Sequence, residues 1–359
     1  MIAILNNLPI ALIYLVVLFY LAALIYTIVR ILLDTHSTPK TLAYLLLIFV
    51  FPVIGIILYY SFGINYRHRR IKVKGEDYYK TLIGDFNKNL NDDTETHLKA
   101  HHDILGPYFG LVHFIHNLGS ENLNRNMFKL LVNGEEKFPE VLRTLETAKH
   151  FIHMEYYAWE NDIRGNQIKD LLLKKTIEGV KVRILYDAYA SRKIKNNIVK
   201  ELARNGIEIY PVIKVKIVQL ANRINHRDHR KIIIVDGHTG FVGGINVSDR
   251  YDNSIDTGLY WRDTHVKITG KTVLNLQRHF LINWNVSQPN PVPFSKELFP
   301  IIKEPNSIEQ EGFAQIVAGG PIYPFSNIML TYFKVFTTAK QKLYITNPYF
   351  IQTTPYWMH

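Results

Sequence analysis

The chain has 359 residues, 47% hydrophobic and 20% charged, with 42 Lys+Arg against 31 Asp+Glu and a formal net charge of +11. That composition excludes a disordered or fibrous protein, and zero cysteines exclude disulfide scaffolds, thiolate-bound zinc or iron–sulfur centres and thiol nucleophiles. The length suits two ordinary domains.

The first 64 residues hold only three charges, Arg30, Asp34 and Lys40. Leu8 to Val29 and Thr41 to Ile64 are apolar runs, each long enough for the roughly 20-residue helix that crosses a bilayer core. The first lacks a basic n-region and a small-residue cleavage site, which argues against a signal peptide. A two-helix transmembrane hairpin is therefore predicted over residues 1–66. Arg67, Arg69, Arg70, Lys72 and Lys74 follow it at once, so the positive-inside rule places the N-terminus and everything beyond residue 64 in the cytoplasm. The same cluster suits anionic lipid head groups, unless it is a topology signal alone. The remaining chain is still net basic, which favours a polyanionic or phosphate-bearing partner.

Residues 67–105 read as this basic membrane-proximal segment and a polar linker, acid-rich around Asn91-Asp92-Asp93-Thr94-Glu95. Phe138 to Lys149 has helical apolar spacing, and Phe151 to Trp159 reads as an aromatic-rich strand. Ile168 to Glu178 is helical and ends at Gly179. Val180 to Tyr186 is a strand, Ile198 to Arg204 a helix and Ile207 to Val212 another strand. This alternation predicts an α/β domain with a largely parallel or mixed sheet.

One segment carries chemistry, NHRDHRKIIIVDGHTGFVGGINVSDRY from Asn225 to Tyr251. Ile232 to Val235 is a β-branched run expected to be buried on both faces; Asp236-Gly237 is a turn and Phe241-Val242 returns to the sheet. Period-two alternation points His229 and Lys231 to one side. A neutral imidazole beside an ammonium suits phosphate chemistry: the lysine neutralises phosphoryl oxygens while the histidine attacks phosphorus or moves a proton. Gly243 and Gly244 would let backbone N–H groups approach a phosphate, and Asn246 offers an amide donor.

This segment resembles the phospholipase D superfamily, whose signature is His-x-Lys, four residues, Asp, and a downstream Gly-Ser-x-Asn element. Here it stands as His229-Arg230-Lys231, Asp236 and Gly243-Gly244-Ile245-Asn246, with Gly244 replacing the common serine. The resemblance makes Asp236 part of the catalytic motif, whereas the residue pattern alone reads it as a turn residue. Within the superfamily the chain is similar to the bacterial cardiolipin synthases, through Phe62-Gly63-Ile64-Asn65-Tyr66-Arg67, His153-Met154-Glu155-Tyr156-Tyr157, Tyr260-Trp261-Arg262-Asp263-Thr264-His265 and Asn347-Pro348-Tyr349-Phe350. The resemblance implies a bacterial cytoplasmic-membrane enzyme with two spans and a cytoplasmic catalytic part. It would have a phospholipase D-like α/β sandwich lobe over 106–304 and the start of a second over 305–359. The implied reaction transfers a phosphatidyl group between two phosphatidylglycerols through a phosphohistidine, giving cardiolipin and glycerol with no metal or cofactor. Phosphatidylglycerol and other anionic phospholipids are the implied partners, and no nucleic acid is expected. Asp263 matches the acidic position that orients the imidazole; its alternatives are an ion pair with Arg262 or a strand-end cap. Glu155, on the aromatic strand, would need a buried partner such as Lys231.

The family uses two His-x-Lys motifs and this sequence has one. A weak repeat is visible, Thr147-Ala148-Lys149 returning as Thr338-Ala339-Lys340, which would set a second histidine near position ~420. A truncated chain of weak activity is the expectation carried forward; a homodimer pairing two copies of His229, or an inactive membrane protein, also accounts for the single motif. The i, i+3 histidine pairs (113 and 116, 150 and 153, 226 and 229) lack an accompanying carboxylate pattern, so no metal site is expected. The other functions that fit are a nuclease of the same superfamily and a non-enzymatic scaffold for anionic lipid.

Overall fold

The computed structural model describes residues 10–34, 38–60, 84, 92–119, 121–212, 227–288, 290–302, 311–320, 323 and 325–347. Three apolar helices come first: α1 (Ile10–Asp34), α2 (Thr38–Val50) and α3 (Pro52–Leu58). Among the described residues, α1 alone has the length and composition to cross a membrane. The second predicted span is broken, because Pro52 has no N–H and Phe51 before it is non-helical at φ −132°, ψ 74°. The expected hairpin of two spanning helices is thus one long apolar helix and a bent pair.

α4 (Thr94–Ala100) and α5 (Phe109–Gly119) lead into the lobe. Its further elements are β1 (Asn124–Val132), α6 (Asn133–Glu146), β2 (Phe151–Tyr156), α7 (Ile163–Ile177), β3 (Lys181–Tyr186), α8 (Ile198–Arg204), β4 (Glu208–Pro211), β5 (Lys231–Val235), β6 (Thr239–Gly243), β7 (Thr264–Gly270), α9 (Thr272–Ser287), β8 (Glu311–Ala314) and α10 (Asn327–Thr338). The strands make one mixed sheet ordered β4-β3-β2-β5-β6-β7-β1-β8. β2, β3 and β4 run parallel, joined by α7 and α8, while every other pairing is antiparallel.

Period-two alternation sorts the core. Ile233 and Val235 of β5 face α6, α7 and α8, where Phe138, Val141, Ile168 and Leu202 are buried. Ile232 and Ile234 face the other way, onto Leu276, Phe280 and Trp284 of α9. The strand is therefore covered on both sides, as its unbroken β-branched run predicts; burying one such side chain contributes about 1.5–3 kcal/mol. The Ile168–Glu178 helix and its stop are also found, with Gly179 at φ +91°, a value that glycine adopts without strain.

Beyond the expected boundary at residue 305, β8 pairs with the edge of β1, and Ala318 and Tyr323 are buried in the α9 face of the core. After α10, residues 342–347 form no strand, although the repeat predicts one there.

Candidate active site

Lys231 opens β5, and the segment before it passes the carboxyl end of β2, where Tyr157 N–H donates to the Arg230 carbonyl at 2.9 Å. Sites in α/β sheets form at such strand ends. The His229 ring is exposed on one side and stacks on Tyr157 with its other face, at 3.8 Å between centroids and 22° between planes. Lys231 is buried, its Nζ 5.0 Å from the centre of the same Tyr157 ring and donating to the His229 carbonyl at 2.7 Å. One aromatic wall holds both side chains.

Burial sets the charges. It pushes Lys231 down to about 8, against the pull of Asp228 and Asp263. Burial and the Lys231 charge together hold His229 below its ordinary value. At neutral pH this is a neutral imidazole beside an ammonium, and among the described residues that ammonium has no ion-pair partner. An anion entering here would supply one.

His229 and Lys231 border a cavity of about 500 Å³ that lies mainly on the α9 side of the sheet, the side Arg230 faces. Its lining mixes polar side chains (Arg227, Asp228, Arg230, His279, Asn283 and Gln315) with apolar ones (Val212, Ile232, Val242, Leu276, Val286 and Ile316).

Beneath it lies a buried charge network. Arg230 alternates away from His229 and Lys231, and its guanidinium meets Glu155 Oε1 at 3.3 Å, Asp228 Oδ1 at 3.7 Å and the Gly319 carbonyl at 2.9 Å. Asn283 of α9 also donates to Glu155. Burial and the neighbouring Asp228 raise Glu155 well above the usual carboxylate range, while Arg230 opposes them. The partner of Glu155 is thus Arg230 and not Lys231, because Glu155 stands opposite Ile232 in the β2–β5 register.

The other predicted site residues are held by the fold. Asp236 sits at φ +50° in the β5–β6 turn, and its carboxylate accepts from the N–H groups of Lys149, His150 and Phe151, each at 2.8 Å. It lies seven extended residues from His229, about 23 Å, so a catalytic role for it is not supported and the turn reading is the one its hydrogen bonds favour. We expect Asp236→Ala to lower stability by about 2 kcal/mol, seen as a reduced thermal midpoint, while the His229 site keeps its reactivity. Asn246 accepts from Ala158 N–H at 3.1 Å and donates to the Tyr251 hydroxyl at 2.7 Å, so it latches two loops. Gly244 N–H is bonded to the Thr264 carbonyl, not left for a phosphate.

Asp263 is not within ion-pair distance of His229. Its oxygens accept from Thr264 N–H at 2.7 Å and Trp261 Nε1–H at 3.3 Å, the strand-end cap that was its alternative. A Cβ at Gly244 would fall 2.1 Å from Asp263 Oδ1. The Asp263 carboxylate therefore fills the space a serine would take at that position. Gly243 is excluded from carrying a side chain by His265, whose Nδ1 would lie 2.5 Å from its Cβ.

Against this geometry, the chain is 33% identical over 342 residues to the major cardiolipin synthase ClsA of Bacillus subtilis (strain 168), a match covering 93% of this chain and 69% of that protein. The chain belongs to the cardiolipin synthase family. It is also 36% identical over 325 residues to cardiolipin synthase 2 of Bacillus anthracis, covering 89% of this chain and 61% of that one. It thus spans about three fifths of the length of the curated relatives it matches first. The family profile described as cardiolipin synthase, PLD-like domain, matches residues 141–281, and the phospholipase D-nuclease N-terminal profile matches residues 22–63. Nuc of Salmonella typhimurium, a phospholipase D family member of solved structure, is similar at 19% identity and a TM-score of 0.37, over 46% of this chain and 99% of that one. The profile match gives the lobe a phospholipase D-like domain over residues 141–281.

For this member of the cardiolipin synthase family, sequence reasoning missed Asp228, Arg230 and Asn283. Arg230 was legible in principle: as the middle residue of His-x-Lys on an extended segment, it must point opposite its neighbours. Asn283 had no local signal, since it reaches Glu155 across 128 residues.

Proposed function

We propose that the lobe carries the phosphohistidine half of a cardiolipin synthase active site, acting on phosphatidylglycerol at the cytoplasmic face of a bacterial inner membrane. In the first step a ring nitrogen of His229 bonds to phosphorus, and the bond from phosphorus to the headgroup glycerol oxygen breaks. A proton goes to that oxygen as glycerol leaves. In the second step the hydroxyl of another phosphatidylglycerol loses its proton and bonds to phosphorus as the histidine departs, giving cardiolipin. Lys231 neutralises the nonbridging phosphoryl oxygens, which gain charge in both transition states.

The observation that carries this reading is the lining of the cavity. A nucleic-acid phosphodiesterase needs charge along its groove, whereas much of the lining here is aliphatic, with Val212, Ile232, Val242, Leu276, Val286 and Ile316 beside the basic residues, a surface that suits acyl chains. The apolar α1 and the basic segment after residue 64 keep the lobe at a lipid surface.

The test offers the purified chain phosphatidylglycerol vesicles and single-stranded DNA in parallel, with an alkaline denaturing quench that preserves the phosphorus–nitrogen bond and mass spectrometry. The expected product is a phosphatidyl adduct on His229; cleavage of DNA with no lipid adduct would overturn the proposal. The rate of adduct formation should peak around neutral pH. It falls in acid because the imidazole must be neutral to attack, and it falls as pH rises through about 8, where Lys231 loses its proton. Bound phosphate stabilises the lysine charge, so saturating lipid should move the alkaline limb upward.

A further inference from the structure

The helices before the lobe carry an inference about topology that rests on the membrane reading above. Two spans in series would be antiparallel, with the end of the second beside the start of the first. Residue 60 would then lie near the N-terminal turns of α1. The contacts are elsewhere. The Thr27 hydroxyl meets the Tyr60 hydroxyl at 3.4 Å, and Ile31, Ile48 and Tyr59 are buried in one cluster. Thr27 and Ile31 belong to the last two turns of α1. The Tyr44 and Tyr59 rings, 15 positions apart, are 5.5 Å from each other; along a straight helix they would be separated by about 22 Å.

The chain therefore leaves the end of α1, runs out along α2 and doubles back along α3 to the level of Tyr44 and of Thr27. The bend at Phe51-Pro52 is tight: a Cβ on Gly55 would fall 2.7 Å from Ile48 Cα. Its backbone stays bonded, Phe51 N–H to the Leu47 carbonyl at 2.8 Å and Gly55 N–H to the Phe51 carbonyl at 2.7 Å. A turn in hydrocarbon needs such bonds. The tip is apolar and open, with Phe49 86% exposed and Phe51 and Val53 exposed beside it.

We infer that the chain crosses the membrane once, through α1, and that the α2–α3 pair is a re-entrant hairpin inserted into one leaflet from the side that carries the catalytic lobe. α1 is about 37 Å long, enough to span, whereas α2 reaches about 20 Å, past the midplane of a hydrocarbon core about 30 Å thick. The N-terminus and the lobe then lie on opposite sides. Charge agrees. With two spans, Arg30 and Lys40 would face outward in the connecting loop. With one, all seven Lys and Arg residues of the first 74 (Arg30, Lys40, Arg67, Arg69, Arg70, Lys72 and Lys74) lie on the lobe side. The occupant of the exposed hairpin face is the acyl region of that single leaflet.

The absence of native cysteine makes the test direct. Asn6→Cys, Ser37→Cys and Lys99→Cys are made singly in the full chain, and each is reacted with a membrane-impermeant maleimide in intact and in lysed bacterial cells. Full labelling of Asn6→Cys in intact cells is expected, with Ser37→Cys and Lys99→Cys labelled only after lysis. Labelling of Ser37→Cys alone in intact cells would establish two spans and overturn the inference. If Ser37→Cys and Lys99→Cys label together and Asn6→Cys does not, the single crossing holds and the cytoplasmic placement of the lobe fails. Release of the protein from membranes by alkaline carbonate, with all three sites protected in intact cells, would overturn both.

Discussion

His229→Ala should lower formation of the phosphatidyl adduct by about 10⁴-fold or more, because it removes the atom that bonds to phosphorus. Lys231→Met should lower it by about 10²–10³-fold, the usual cost of losing one preorganised charge at a transition-state oxyanion. The two variants differ in their pH profiles. Lys231→Met keeps an adduct at a slower rate and loses the alkaline limb, since the group that titrates near 8 is gone. Its acid limb should move upward, because the nearby charge that helped depress His229 is gone as well. Both are followed by rapid quench against a pH series, with soluble expression and near-UV circular dichroism checked first. An adduct in His229→Ala at the wild-type rate would remove His229 from the mechanism.

The second large effect is on stability. Glu121 is buried just before β1, and its carboxylate receives Arg278 at 2.6 Å, His279 Nε2 at 2.8 Å and Asn275 at 3.0 Å, all from α9. Glu121→Ala takes the carboxylate away from a buried guanidinium and a buried imidazole, which costs about 3–5 kcal/mol and is comparable to the stability of a whole domain. The expected outcome is an unfolded or insoluble lobe; a thermal midpoint equal to wild type would refute the account. Acid should act through the same cluster. Burial alone would raise Glu121, yet Arg278 and His279 hold it below its ordinary value, and burial keeps His279 below its own. Both groups bind more protons unfolded than folded. Their stabilisation is therefore complete at neutral pH, begins to fall as pH drops below the unfolded histidine value, and declines further as the carboxyl protonates.

The parts of the fold legible in the sequence are those where pattern and burial coincide. Ile198–Arg204 is helical to the residue, and the β-branched run of β5 is buried on both faces. α9 was not legible for an identifiable reason. Residues 272–285 are all buried, yet Asn275, Gln277, Arg278, His279 and Asn283 among them are polar, so no apolar stripe survives. Each of these side chains meets a partner from another part of the chain: Glu121, His153, Tyr323 or Glu155. Local pattern cannot anticipate those partners. In the site, the alternation of His229 and Lys231 was legible, but Asp236 and Asn246 belong to the motif without touching its chemistry. Their hydrogen bonds go to distant backbone and loops, which sequence spacing does not reveal.

The anchorage of Arg230 has a kinetic meaning. Its carbonyl and hydroxyl partners, Gly319 and Tyr323, come 89 and 93 residues after it. Closing so long a loop is entropically slow, and contacts of this separation form after the local helices and hairpins. The ribosome would release β5 well before the residues that steady its leading end. A growing chain thus passes through a period in which the His-x-Lys strand exists but its support does not, and competence arrives as one of the last steps of folding.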